Sequence, residues 1–172
     1  MIGSGLINSQ NLINDGLFPQ SSQNNSCKNN GGTTWSYNQG AILSGLAELT
    51  LLTGDARYSD LAITIATAAI ELLTDSNGIL HDPCEPVLCV GDGGQFKGVF
   101  ARNVQFLVNM ANLPASTEDL FTKFLKDNAN SIWTTARSGS KLGPIWSGPY
   151  SASSVQTQSS ALDAIIGAAC VS

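Results

Sequence analysis

One segment of the sequence is apolar on nearly every side of a predicted helix. From about Asn38 to Thr53, apolar side chains recur at helical spacing in two stripes, Ile42, Leu46, Leu49, Leu52 and Leu43, Ala47, Leu51. This pattern predicts an inner helix that lies between other helices. Its start, Trp35-Ser36-Tyr37-Asn38-Gln39-Gly40, combines aromatic and amide side chains and is the part that is free to meet a ligand.

The rest of the chain predicts four further helices separated by loops. Gly54 ends the first helix, and Asp55 caps a second helix with one buried face, formed by Leu61, Ile65, Ala68 and Leu72. The other helices are predicted over residues 96–112, 116–137 and 159–169. Short apolar pairs near the N-terminus indicate a loose hairpin. The predicted fold class is therefore all-α.

Glutamine marks the start of each odd-numbered helix. Gln39, Gln95 and Gln156 stand at or just before the first, third and fifth helices, 56 and 61 residues apart. This spacing indicates a repeated helical hairpin, the unit of an α/α solenoid or toroid whose odd-numbered helices are inner. We therefore expect one end of the array to gather Tyr37, Asn38, Gln39, Gln95, Lys97 and Gln156. The alternative is that amide residues simply favour helix ends.

Composition limits the partners of the chain. Its 172 residues fit one domain, predicted over residues 1–172. Charged residues make up 12%, and eight Lys and Arg face thirteen Asp and Glu, which argues against a nucleic-acid surface. Met1–Gly5 lacks the basic and apolar parts of a signal peptide, and no run approaches the roughly 18 apolar residues of a membrane span. Asn24 begins a glycosylation sequon, which matters only in a secreted chain.

Two of the four cysteines share one proline-containing loop. Cys84 and Cys89 are near enough in sequence to close a small ring, and we predict a disulfide between them. Zinc is the weaker alternative, because the single His81 and the wide spacing of Cys27 and Cys170 give no ligand pattern. We expect no metal site and no cofactor.

Several motifs follow the order and spacing of a known enzyme family. They are Trp35–Gly40, Ala47-Glu48-Leu49, Leu52-Thr53-Gly54-Asp55, Leu73-Thr74, Gly78-Ile79-Leu80, Pro83-Cys84-Glu85, Gln95–Phe100 with Arg102, Gly143-Pro144-Ile145-Trp146 and Ser160–Ala164. Together they resemble glycoside hydrolase family 76, the fungal and bacterial endo-α-1,6-mannanases, over residues 15–168. The loop with the paired cysteines is similar to the fungal branch.

The resemblance implies part of an (α/α)6 barrel that cleaves the α-1,6-linked mannan backbone, with mannan or a mannosylated glycan as partner. For the fungal relatives it implies a secreted protein at the cell wall or the outer face of the plasma membrane, where transglycosylation attaches lipid-anchored glycoproteins to wall glycan. The family's catalytic device is a pair of consecutive aspartates in its N-terminal half, and no Asp-Asp occurs in this sequence. We therefore expect a C-terminal half of such a barrel, a fragment or degenerate copy that is inactive without the missing N-terminal half.

Aromatic and amide residues at the helix starts are the candidate sugar contacts. The predicted substrate-binding set is Trp35, Tyr37, Asn38, Gln39, Gln95, Lys97 and Trp146. The aromatic rings can stack on the C–H faces of sugars, and the amides can bond hydroxyl groups. The alternatives are that Trp146 fills the core and that Lys97 is a solvated first-turn residue, although at a rim it can pair with a catalytic acid from the other half. Phe96 and Phe100 are predicted to be core.

Glycoside hydrolysis normally needs two carboxyl groups on either side of the bond. The candidates are Asp15, Asp82, Glu85, Asp92 and Asp163, and none forms a convincing pair from sequence. Asp82 and Glu85 share the cysteine loop, where capping and hydrogen bonding are favoured over catalysis. Glu48 stands in a nearly apolar helix, so we expect it to be buried and paired with Lys97 or Arg102.

Two functions of other classes remain as alternatives. The chain can be a non-catalytic glycan-binding module that keeps the sugar-facing rim, or an α-solenoid interaction protein. Binding of mannan oligosaccharides would separate the mannanase fragment and the glycan-binding module from the interaction protein.

Overall fold

The computed structural model describes residues 5–18, 28–87, 89 and 91–171. Its elements in chain order are β1 (Leu17–Phe18), β2 (Lys28–Asn29), α1 (Ser36–Thr53), α2 (Arg57–Leu73), a 3₁₀ helix (Gly91–Gln95), α3 (Phe96–Met110), α4 (Ala115–Thr135), β3 (Arg137–Ser138), β4 (Lys141–Leu142) and α5 (Val155–Ala169). β1 pairs antiparallel with β2, and β3 with β4. For the described part of the chain, the prediction of an all-α fold with five helices is confirmed. No helix in these ranges is long and apolar enough to cross a membrane.

α5 begins at Val155, one turn earlier than the sequence predicts. The reason is a capping box. The Ser154 hydroxyl accepts the Thr157 N–H, and the Thr157 hydroxyl accepts the Ser154 N–H. Two backbone donors that a helix start leaves unpaired are thereby satisfied. Gln156 consequently lies in the first turn of α5.

α1, α3 and α5 form a row of parallel helices, and α2 and α4 form a second layer. The residues that meet between neighbours in the row are Gly40 with Phe100, Gly98 with Ser160, and Gly167 with Gln105. α2 packs on α1, while α4 packs on α3 and α5. Because the three row helices run in one direction, their starts lie at the same end. The predicted hairpin repeat of a partial α/α barrel is confirmed.

Two glycines allow the row helices to touch backbone to backbone. A Cβ atom on Gly40 would lie 2.6 Å from the Cα of Phe100, and one on Gly98 would lie 2.5 Å from the Cα of Ser160. Both distances are shorter than any van der Waals contact between carbon atoms. The close spacing of α1, α3 and α5 therefore requires that these positions carry no side chain.

The hydrophobic core lies between the two layers. Its largest fully buried apolar side chains are Trp146, Phe100, Phe121, Leu43, Ile65, Leu80, Leu107, Leu125, Ile132 and Val104. The buried amide of Asn128 holds the loop after α2 against α4. It accepts the Leu80 N–H at 2.9 Å and donates to the Gly78 carbonyl at 3.0 Å. The loop that follows is thereby held above the core.

Some positions predicted to be buried are exposed. Leu52 of α1 and Leu72 of α2 are 79% and 48% exposed, and Glu48 lies on the surface. The expectation that Glu48 is buried and paired with Lys97 or Arg102 is therefore wrong. α1 is the end member of the inner row, and within the described ranges no helix covers its outer flank.

Candidate functional site

The inner helix starts are held in place by side chains from distant parts of the chain. At α1, the Asp82 carboxylate accepts the Ser36 N–H at 2.9 Å and the Ser36 hydroxyl at 2.8 Å. At α3, the Gly98 N–H donates to the Ser160 hydroxyl of α5 at 2.8 Å. These bonds satisfy donors that the helices leave open, and an acidic group at a helix start is also electrostatically favourable.

An aromatic and polar cluster stands at these helix starts. The Phe96 ring lies between those of Trp35 and Tyr37, with centroid distances of 5.4 Å and 4.3 Å. The Asp15 carboxylate accepts a hydrogen bond from the Tyr37 hydroxyl at 2.9 Å and a longer one from the Asn38 amide at 3.3 Å. We call these five residues the aromatic rim. Its three rings are half-buried, so part of each faces solvent.

Asp15 and Phe96 are members of the rim that the sequence did not assign to it. Asp15 reads as a turn residue in Asn14-Asp15-Gly16, and only the fold brings it to Tyr37. Phe96 is half-buried rather than core, because it packs sideways on the α1 start. Partial burial, and then the hydrogen bond to Asp15, raise the pKa of Tyr37, so the phenol remains a donor at neutral pH.

The Gln39 side chain is buried and makes hydrogen bonds within the protein. Its side chain is fully buried, its carbonyl oxygen accepts the Ile13 N–H at 2.7 Å, and its amide donates to the Ile13 and Trp35 carbonyls, each at 2.9 Å. The expectation that Gln39 bonds sugar hydroxyls is corrected on this ground: no part of it is exposed. It ties the N-terminal hairpin, closed by the bridge between Ile7 and Ile13, to the rim.

Two amides at the same end remain open. Gln95 is exposed and Gln156 is half-buried, and neither side chain has a hydrogen-bond partner within the residues that the structure describes. Gln156 lies against the 3₁₀ helix that ends at Gln95, because a Cβ added to Gly94 would be 3.2 Å from the Gln156 Cβ. An amide without a protein partner can bind the hydroxyl groups of a ligand.

Lys97 is the centre of a buried ionic network. Its ammonium group donates to Glu85 and, at 2.7 Å, to the Pro144 carbonyl. The other Glu85 oxygen lies 2.6 Å from Nδ1 of His81, and the side chains of Lys97 and Glu85 are only 6% and 3% exposed. Burial lowers the pKa of Lys97, and the charge and hydrogen bond of Glu85 oppose that shift.

These positions correct two predicted sugar contacts. Trp146 has no exposed surface, and the Lys97 ammonium lies 4.9 Å from its ring centroid as a cation–π partner. Trp146 therefore fills the core, which is the alternative that the sequence left open. Lys97 is neither solvated nor free for an acid from elsewhere, because its partner is Glu85.

The predicted disulfide is confirmed, since Cys84 and Cys89 are bonded with their Cα atoms 5.3 Å apart. The zinc alternative is thereby removed for this pair, and no group of three or more His, Cys, Asp or Glu in the described chain could hold a metal ion. Cys170 is a free, exposed thiol. The other predicted positions, Cys27 and the sequon residue Asn24, lie outside the described residues.

The remaining carboxylates do not form a catalytic pair at the rim. Asp82 and Glu85 both point inward to structural partners. Asp163 of α5 binds Arg102 of α3 at 2.9 Å on the surface, and partial burial raises its pKa against the opposing effect of Arg102. Asp92 is exposed in the 3₁₀ helix.

Asp82 gives a pH-dependent prediction. Burial raises its pKa above the ordinary 3.8, against the two Ser36 hydrogen bonds. Between 3.8 and the raised pKa, the folded chain binds more protons at this site than the unfolded chain, so its contribution to stability increases as the pH falls. The unfolding free energy of the unmodified chain, relative to that of Asp82→Asn, should therefore increase as the pH falls. Urea denaturation at several pH values measures it, and a difference that shrinks instead would contradict the burial argument.

Comparisons with known proteins agree with this architecture. The family model of glycosyl hydrolase family 76 matches residues 1–171. Mannan endo-1,6-alpha-mannosidase DCW1 of Candida albicans is 32% identical over 146 residues, which cover 81% of this chain and 31% of that protein. The structure of the GH76A alpha-1,6-mannanase from Salegentibacter sp. HEL1_6 superimposes with a TM-score of 0.82 at 23% identity, covering 97% of this chain and 48% of that one.

A second structure of that bacterial enzyme is an inactive variant in which two consecutive aspartates are replaced by alanine, in complex with alpha-1,6-mannotetrose. It matches with a TM-score of 0.81 at 24% identity, covering 97% of this chain and 48% of that one. The protein described here belongs to glycosyl hydrolase family 76. It spans about a third of the length of the curated relative and about half of the length of the two solved structures.

Proposed function

We propose that this chain is the C-terminal half of a family 76 (α/α)6 barrel and binds α-1,6-linked mannan along the aromatic rim. The observation that carries the proposal is the common end of α1, α3 and α5, where half-buried aromatic rings and hydrogen-bonding groups meet. Ring faces suit the apolar C–H faces of a sugar, and the Asn38 and Gln95 amides suit its hydroxyls. The substrate follows from the family and from the mannan-directed names of its relatives.

Exposed apolar flanks support the half-barrel part of the proposal. On α5, Val155, Leu162 and Ile166 recur at helical spacing and are 84%, 41% and 55% exposed. On the other edge of the row, Leu52 of α1 is exposed to a similar degree. In a closed ring of hairpins, both flanks lie against further inner helices, which remove this surface from water.

We further propose that this half binds substrate and that the other half supplies the acids. Cleavage needs two carboxyl groups placed across one glycosidic oxygen, and binding without them does not lower the barrier. No consecutive aspartates occur in these 172 residues, whereas replacing two consecutive aspartates inactivates the bacterial relative. A non-catalytic mannan-binding module is the second candidate, and the same sequence feature favours it. Either way, the Cys84–Cys89 disulfide fits a secreted, wall-associated protein.

Calorimetric titration with α-1,6-mannotetraose tests the binding proposal. We expect Tyr37→Ala to weaken binding about tenfold, because losing one stacked ring and its hydroxyl costs about 1–2 kcal/mol. Trp133→Ala is the matched control, since Trp133 is 53% exposed on α4 and packs on Arg137, outside the rim. Equal losses in both variants, or tighter binding of an α-1,4-linked glucan, would contradict a mannan site at the rim.

Activity assays of the same protein test whether the catalytic acids come from the other half of the barrel. On unbranched α-1,6-mannan we expect no turnover by these 172 residues alone, and turnover after addition of the N-terminal half of a related enzyme. Turnover by the chain alone that is lost in Asp163→Asn would place the chemistry in this half.

A further inference from the structure

A pocket of about 170 Å³ opens between the disulfide loop and the start of α5. Cys89 and Gly91 line it from one segment of the chain and Pro144 and Ala152 from another, which we call its two walls, and Gln156 of α5 is a further lining residue. The pocket lies at the common end of the inner helices, because the 3₁₀ helix that begins at Gly91 runs directly into α3. It is separate from the Trp35 and Tyr37 rings.

The two walls are tied together by one buried cation. Lys97 donates to the carbonyl of Pro144 in one wall and to Glu85, which lies inside the ring closed by the Cys84–Cys89 disulfide. Cys89 of that ring lines the other wall. Because both anchors are buried or covalent, the distance between the walls is set before any ligand arrives. Such preorganisation reduces the entropic cost of binding.

The lining selects a neutral, hydroxyl-rich ring. None of the described lining residues is charged, which disfavours a phosphate or carboxylate ligand. Proline, alanine and the disulfide offer apolar surface to C–H groups. Among the polar lining groups, the Ser154 and Thr157 hydroxyls are engaged in the capping box, whereas the Gln156 amide keeps a donor and an acceptor open.

We infer that this pocket is a subsite for one mannopyranose residue of the bound glycan, with Gln156 as its specificity-determining side chain. The inference rests on the proposed binding of mannan at the rim and extends it. The 3₁₀ helix from Gly91 to Gln95 connects the pocket lining at Gly91 to Phe96 of the rim, so a glycan that lies across the rim can extend towards the pocket. The occupant can be the next residue of the linear chain or a branch mannose, and the two differ in which oligosaccharides gain affinity from the pocket.

The test is a calorimetric series of linear α-1,6-linked mannose oligomers from two to six residues, together with branched oligomers that carry an α-1,2-linked mannose. In the unmodified chain, Kd should fall at the length or branch that first fills the pocket. Gln156→Leu, which removes the amide and keeps the size, should abolish that step with about a tenfold loss of affinity for the pocket-filling oligomer. Shorter oligomers should bind as before. Ala152→Phe, which puts a large side chain at another lining position of the pocket, should do the same.

Asn130→Ala is the control, because it removes an exposed amide from α4 away from the pocket. Circular dichroism should show equal helix content in all variants. A length or branch step that survives in both Gln156→Leu and Ala152→Phe overturns the subsite while mannan binding at the rim stands. If the unmodified chain binds no mannose oligomer, the proposed function itself fails, and the subsite fails with it.

Discussion

Replacing Lys97 with methionine is expected to lower the free energy of unfolding by about 3–5 kcal/mol. Lys97 and Glu85 are almost completely buried, and each stabilises the charge of the other. Methionine keeps the apolar stem but leaves the Glu85 carboxylate without its ammonium partner, and it removes the donor to the Pro144 carbonyl. An uncompensated buried charge costs more than the pair contributes, which is why loss of one partner has so large an effect. Chemical denaturation followed by circular dichroism measures it.

A double-mutant cycle separates the ion pair from simple loss of packing. Glu85→Gln alone should also be strongly destabilising, whereas the double variant Lys97→Met/Glu85→Gln should lose clearly less than the sum of the two. Lys126→Met, at an exposed position of α4, is the control and should change stability by less than about 0.5 kcal/mol. If the two single losses simply add, Lys97 and Glu85 act independently and the network does not tie the loop to the core.

The second large effect concerns the glycines between the inner helices. Gly40→Ala and Gly98→Ala should each destabilise the fold by about 1–3 kcal/mol or more, because the new methyl group overlaps backbone atoms of the neighbouring helix. Backbone atoms cannot turn aside as a flexible side chain can. In Gly98→Ala, the shift between α3 and α5 should also weaken the hydrogen bond from the Gly98 N–H to the Ser160 hydroxyl. Thermal and urea unfolding of each variant gives the change.

Gly45→Ala provides a control within α1 itself. Gly45 is exposed, and no atom lies within 4 Å of where its Cβ would be. Alanine should therefore stabilise the helix by about 0.5–1 kcal/mol, since glycine loses more backbone entropy on folding. Opposite signs for Gly40→Ala and Gly45→Ala would separate helix contact from helix propensity. Stabilisation by both would show that α1 and α3 are not in backbone contact.

Much of the architecture can be read from the order of the residues. Helix periodicity predicts five helices, and the recurring glutamines predict that alternate helices begin at one end, because both are properties of short segments. The disulfide follows from two cysteines in one short loop. The motifs from Trp35–Gly40 to Ser160–Ala164 predict the family, which the family model matches over residues 1–171.

Only the tertiary structure decides what each polar side chain faces. Gln39 and Gln95 both stand near the start of an inner helix, yet Gln39 is buried by the N-terminal hairpin while Gln95 meets solvent. Lys97 lies under the disulfide loop because Glu85, twelve residues earlier, folds back over it. Asp15 reaches Tyr37 only when α1 and the hairpin pack together. Periodicity records how residues repeat along one helix, whereas burial and pairing depend on which segments meet across the fold, and that is set by packing between residues distant in sequence.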